Sequence, residues 1–224
     1  FRPMGCSGST QNKKNKTTEK KALIVVDVQN DFCEGGSLAV KDSAEIFPII
    51  NSLKKNTVFE KVYLTADWHP ADHVSFNENN PGTELFQEIT LEETGVKQVM
   101  WPTHCVQDKT GSEFHKDLEV SDSDVIVKKG TIRTVDSYSG FGTPPEDTGL
   151  NQLLQDEGIT TVYVTGLAYD YCVGSTARDA AKNGYKTYVV TDATKSIAEE
   201  TTKAMDKTLS GLGVEKIKSS SITM

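Results

Sequence analysis

The chain has 224 residues, 36% of them hydrophobic and 25% charged, which is enough for one well-buried core. Its 32 acidic against 24 basic side chains leave a net charge of −8, which argues against a nucleic-acid partner. No apolar run approaches the roughly 18 residues that a bilayer span needs and no secretory leader is evident; the four cysteines lack CxxC spacing, so a reduced, cytoplasmic setting is expected.

Residues 1–21 read as a disordered basic tail, with five lysines and almost nothing apolar after Cys6. Within it, 4-MGCSGS-9 fits the N-myristoylation pattern if Met4 is the native start, and residues 1–3 would then be an expression scar. Gly5 would carry the acyl chain and Cys6 a palmitate, placing the protein at the cytoplasmic face of a membrane. A flexible tail with a chance match is the alternative reading.

Residues 22–224 read as a single domain in which strand and helix signals alternate. The run 22-ALIVVD-27 is continuously apolar, as a strand buried on both faces must be. Residues 42–56 have helical spacing, with Pro48 marking a kink or a late start. A strand at 61–66 leads into 67-DWHPADH-73, and 74–120 is expected as a long functional loop with short helices. A strand at 124–129 precedes a Gly/Ser/Pro-rich loop over 130–145. A helix near 147–157, a strand at 160–167, an Ala-rich helix over 172–184, a strand at 185–191, a helix at 197–209 and a short strand at 214–218 complete the order. Such alternation predicts an α/β fold: a three-layer arrangement with a mostly parallel twisted sheet of about six strands and helices on both faces.

Reactive residues end several of these strands, where open α/β sheets bind ligands. Cys172 opens a predicted helix whose free N–H groups would lower its pKa; a small buried hydrophobe is the plain alternative. Asp27 closes an apolar run, where a charge is costly unless used or paired. Lys128 and Lys129 fall on opposite faces of their strand, and spacing alone does not choose between them. Asp67 and His69 on one strand end, with the remote His104, make three ligands, the number typical of a catalytic zinc with open positions. His73 is a further candidate, and His115 reads as a surface residue.

Five segments in order, 22-ALIVVDVQNDFCEGGSLAV-40, 67-DWHPADHVSF-76, 101-WPTHCVQ-107, 129-KGTIRTVDSYSGF-141 and 166-GLAYDYCVGSTARDA-180, resemble the nicotinamidases. These are the amide-hydrolysing branch of the isochorismatase-like cysteine hydrolases. The resemblance implies Asp27, Lys129 and Cys172 as a catalytic triad. It implies Asp67, His69 and His104 as ligands of a divalent metal, zinc first, with iron or manganese also suited. His73 stays open, because some relatives ligate from this loop and others use water. A non-proline cis peptide at Leu167-Ala168 and an oxyanion hole from the N–H groups of Ala168 and Cys172 follow from the same match. Phe32 and Trp101 fall where relatives sandwich the pyridine ring, with Tyr138 and Tyr171 as further substrate contacts. Tyr169 stands where many relatives carry Thr, which would alter the pocket rim. The implied substrate is nicotinamide, cleaved through a thioester, with pyrazinamide-like analogues also accepted and a homo-oligomer conceivable. The alternatives are an amidase for a carbamoyl or ureido substrate, or a catalytically silent, membrane-tethered binding module.

Overall fold

The computed structural model describes residues 19–223; Gly5, Cys6 and the acylation pattern around them lie outside the described residues. Six strands form one parallel sheet: β1 (Lys21–Val26), β2 (Lys61–Asp67), β5 (Val125–Lys129), β6 (Thr161–Leu167), β7 (Lys186–Lys195) and β8 (Glu215–Ile217). Their spatial order is β5-β2-β1-β6-β7-β8, and every neighbouring pair is parallel. The chain therefore builds outward from β1 to one side, then crosses back to start the other half at β6. That reversal opens a crevice beyond the carboxyl ends of β1 and β6.

The alternating sides of β1 explain why its sequence is apolar throughout. Leu23 and Val25 pack on one face with Phe47, Ile50 and Leu53 of helix α1 (Phe47–Lys54). Ala22, Ile24 and Val26 pack on the other, against α2 (Leu150–Asp156), α3 (Gly174–Lys182) and Leu209 of α4 (Glu199–Gly211). Each fully buried aliphatic side chain contributes about 1.5–3 kcal/mol, so both faces hold the strand in register.

Of the two readings of Pro48, the late start holds, and two other elements differ from expectation. Helix α1 begins at Phe47, with Pro48 in its first turn where a missing N–H costs nothing, and residues 43–46 form only a tight 3₁₀ turn before it. The 74–120 region contains 3₁₀ turns and also a small antiparallel hairpin, β3 (Glu88–Thr90) with β4 (Lys97–Val99). The third helix starts at Gly174, preceded by a wider π-type turn over Tyr169–Val173 that contains Cys172. Among the described residues, no helix is long and apolar enough to cross a membrane.

Candidate active site

Four adjacent strands deliver four reactive side chains to one rim. Asp27 follows β1, Asp67 closes β2, Lys129 closes β5, and Cys172 lies in the turn after β6. Asp67 and Lys129 are register partners across β2 and β5. At Asp27 the backbone takes φ 49°, a left-handed conformation rare outside glycine. The local cost is met by fixed neighbours: its N–H donates to the Thr65 carbonyl at 3.2 Å, and Thr65 Oγ1 donates to Oδ1 at 2.6 Å.

Lys129 is fully buried and forms the hub. Its Nζ lies 2.9 Å from Asp27 Oδ2, pairs with Asp67 Oδ1, donates to the Ser137 carbonyl at 3.0 Å and approaches Cys172 Sγ at 3.5 Å. Lys128, the other lysine of the pair, is exposed and lies over the Trp68 ring, 3.4 Å from its centroid. Carboxylate oxygens of Asp27 and Asp67 and the Cys172 sulfur all lie within 4.8 Å of one another.

The electrostatics of this group differ from the expectation of an acidified thiol. Burial pushes the Cys172 thiol well up, Lys129 opposes it, and Asp27 and Asp67 add to the rise. Cys172 precedes the first α-helical turn rather than opening it, so the helix end does not override that desolvation. Burial likewise raises the Asp27 carboxyl, with Lys129 pulling against it. For Asp67 burial is outweighed by Lys129 and His69, which hold the carboxyl below its ordinary range. Burial opposes the charge on Lys129, but Asp27 and Asp67 keep it firmly protonated. The resting arrangement is a thiol beside a proton-accepting carboxylate, with one cation pinning two anions.

The donor set beside it fits a divalent metal. Asp67, His69 and His104 are all buried, and their ligand atoms lie within 4.8 Å of one another. His69 Nδ1 donates to the Gly130 carbonyl at 2.8 Å, which leaves Nε2 as the lone-pair nitrogen, 3.6 Å from Asp67 Oδ2. His104 Nδ1 donates to the Pro102 carbonyl at 2.7 Å, turning its Nε2 the same way, 3.9 Å from Asp67 Oδ2. Backbone carbonyls fixing the outer nitrogen of each imidazole are what a metal-binding histidine requires. His69 Nε2 is buried without a hydrogen-bond partner, a vacancy in bonding that a cation would fill. His73 stacks on His69 at 4.2 Å, but Ser75 Oγ and the Val135 carbonyl occupy its two nitrogens at 2.7 and 3.1 Å. It stands behind the cluster rather than in it. His115, expected on the surface, is half-buried and stacked on Phe47 at 4.6 Å.

Gly130 is indispensable to this geometry. It sits at φ +64°, and a Cβ there would lie 2.3 Å from His69 Cε1. Gly130→Ala is expected to displace the His69 ring and weaken metal binding about 10- to 100-fold. Equilibrium dialysis of the variant against zinc measures it, and unchanged affinity would remove His69 from the ligand set.

A narrow pocket opens over both groups, reached by Asp67 and His104 on one side and Cys172 on the other. Phe32, Trp101, Tyr138 and Tyr171 all line it, with Ala168 and Cys172 beside them. Trp101 Nε1 donates to Tyr138 Oη at 2.9 Å, and Tyr171 meets the indole edge-on at 5.1 Å. The Leu167-Ala168 peptide is cis. Tyr169 leaves the rim unaltered: it is buried and its hydroxyl donates to the Asp206 carboxylate. Larger surface grooves, such as the one between Asp72 and Thr94, hold no comparable set of reactive groups among the described residues.

Several residues at the site escaped sequence reading. Leu38, Asp136 and Ile197 also line the pocket. Gln29 is fully buried and brackets Asp67, accepting its N–H at 2.9 Å and donating to its carbonyl at 2.8 Å. Glu146 accepts the N–H groups of Gly130 and Thr131 at 2.8 and 2.7 Å, fixing the turn after Lys129. Asp136 and Gln29 sit inside segments that carry the family resemblance, which was the available signal; Ile197 had none.

Comparison with known proteins fits this geometry. The isochorismatase domain family matches residues 21–220. The chain is 45% identical to a nicotinamidase of Acinetobacter baylyi, over 81% of this chain and 84% of that protein. A nicotinamidase/pyrazinamidase structure from Acinetobacter baumannii superposes with a TM-score of 0.86 at 44% identity, covering 93% of this chain and 100% of the other. A pyrazinamidase of Pyrococcus horikoshii, solved in complex with zinc, superposes at 0.74 with 34% identity, covering 89% and 99%.

Proposed function

The chain belongs to the isochorismatase domain family, and from that premise we propose that it hydrolyses nicotinamide to nicotinate and ammonia through a thioester on Cys172. The catalytic unit is the single domain from residue 22 onward. One observation carries the reading: Lys129 touches Asp27, Asp67 and Cys172 at once, so nucleophile and donor cluster meet at one pocket lined by aromatic side chains.

Asp27 takes the Cys172 proton, an exchange made feasible because burial raises both groups and keeps the carboxylate basic. The sulfur attacks the carboxamide carbon, and the N–H groups of Ala168 and Cys172 stabilise the oxyanion. Collapse breaks the C–N bond, with Asp27 returning the proton to departing ammonia. Water, deprotonated by Asp27, then cleaves the thioester and restores the thiol. Lys129 holds the carboxylates in place throughout. Phe32 and Trp101 clasp the ring, and Tyr138 and Tyr171 fix the indole.

Asp67, His69 and His104 would hold the metal, for which zinc is our assignment. A bound cation supplies Lewis acidity, offering the pyridine nitrogen a ligand site that orients the ring. Assay of ammonia release from nicotinamide, paired with elemental analysis, tests the whole reading. About one zinc per chain is expected, with activity falling on chelation and returning on zinc addition. Undiminished turnover by metal-stripped protein would overturn the metal's part; no ammonia from nicotinamide would overturn the substrate.

A further inference from the structure

Most of the pocket wall is buried, but Ile197 is 46% exposed and sits at the mouth. It belongs to no strand or helix and precedes α4, whose cap residue Ala198 has no side chain to satisfy the helix's free N–H groups. Asp170, from the turn that carries Tyr171 and Cys172, instead grips the two residues that lead into the helix. Asp170 Oδ1 accepts the Ile197 N–H at 3.0 Å; Oδ2 accepts the Ala198 N–H at 3.0 Å and Thr201 Oγ1 at 2.5 Å. Asp170 is itself buried, at 5% exposure. A charged acceptor shielded from water and using three donors makes a firm anchor. The nucleophile turn thus holds an apolar side chain over its own entrance.

We propose that Ile197 is the specificity-determining residue for substituents on the substrate ring, and that Asp170 is the positioning residue that sets its height above the pocket. The inference rests on the nicotinamide reading above and deepens it. The floor groups engage the ring nitrogen and carboxamide of any pyridine carboxamide alike. Discrimination among such amides falls to Ile197, the most exposed apolar residue of the lining, borne on a segment separate from the reactive groups. A branched aliphatic side chain there leaves little room for an added methyl.

The test compares kcat/KM for nicotinamide with that for nicotinamides methylated in turn at each free ring carbon. Ile197→Ala is expected to raise the ratio of at least one methylated amide to nicotinamide by about tenfold or more. Ile197→Trp lowers the same ratio. Asp170→Asn and the milder Thr201→Val shift it for the same ring position, chiefly through KM, which a merely structural role would not do. A ratio that stays within about twofold in both Ile197 variants overturns the proposal. A ratio that moves in those variants but in neither Asp170→Asn nor Thr201→Val overturns the role of Asp170. Failure of the unaltered enzyme on nicotinamide itself is read separately and overturns the reading beneath.

Discussion

Replacing Cys172 with alanine lowers ammonia release from nicotinamide by a factor of about 10⁴ or more. No other sulfur serves: of the remaining described cysteines, Cys105 holds a contact to the Gly111 carbonyl and Cys33 packs in the core. The loss is chemical rather than structural. Lys129 keeps Asp27, Asp67 and the Ser137 carbonyl, so no buried charge is stranded when the sulfur goes. Metal content and melting temperature should therefore stay close to those of the parent enzyme. Retention of more than about a hundredth of the parent rate would remove Cys172 as nucleophile.

Lys129→Met has the second large effect, and it falls on stability as well as on rate. The substitution preserves length but deletes the cation between two buried carboxylates. Breaking a buried ion pair from one side typically costs about 3–5 kcal/mol, because the remaining charge is left without compensation. Here two carboxyl groups are left facing each other, and Asp27, already raised by burial, takes up a proton to relieve them, which keeps the loss within that range. Urea unfolding at fixed metal content measures it, through a midpoint that falls with the slope unchanged. A cost below about 1 kcal/mol would mean that Lys129 does not carry its charge in the folded protein. Lys128→Met, by contrast, removes only an exposed cation–π contact with Trp68 and serves as the control.

The strands that carry Asp27 and Asp67, and the one that leads to Cys172, were legible because burial on both faces leaves a largely apolar run, and a charge ending such a run stands out; the edge strand that carries Lys129 is exposed on one face and was read from its Val/Ile content. The β3–β4 hairpin was not legible: each strand has three residues, too short for alternation to register. The late start of α1 was legible as one of two readings of Pro48, which is tolerated only in a first turn. The acidity of Cys172 was misjudged from local position, where desolvation by distant chain segments decides it. Ile197 was invisible for a related reason. Its place over the pocket depends on Asp170, 27 positions earlier, and no periodicity encodes such a bond.

The central strand has a consequence for how the enzyme comes into being. Thr165 Oγ1 on β6 bonds the Ile24 carbonyl on β1 across 141 positions of sequence, and Cys172 follows that pairing. During synthesis Asp27 emerges from the ribosome long before Cys172. The two meet only after a long loop has closed, which is entropically slow. Appearance of amide hydrolysis during refolding should accordingly mark the last assembly event, later than the local helices and later than the β1–β2 pairing.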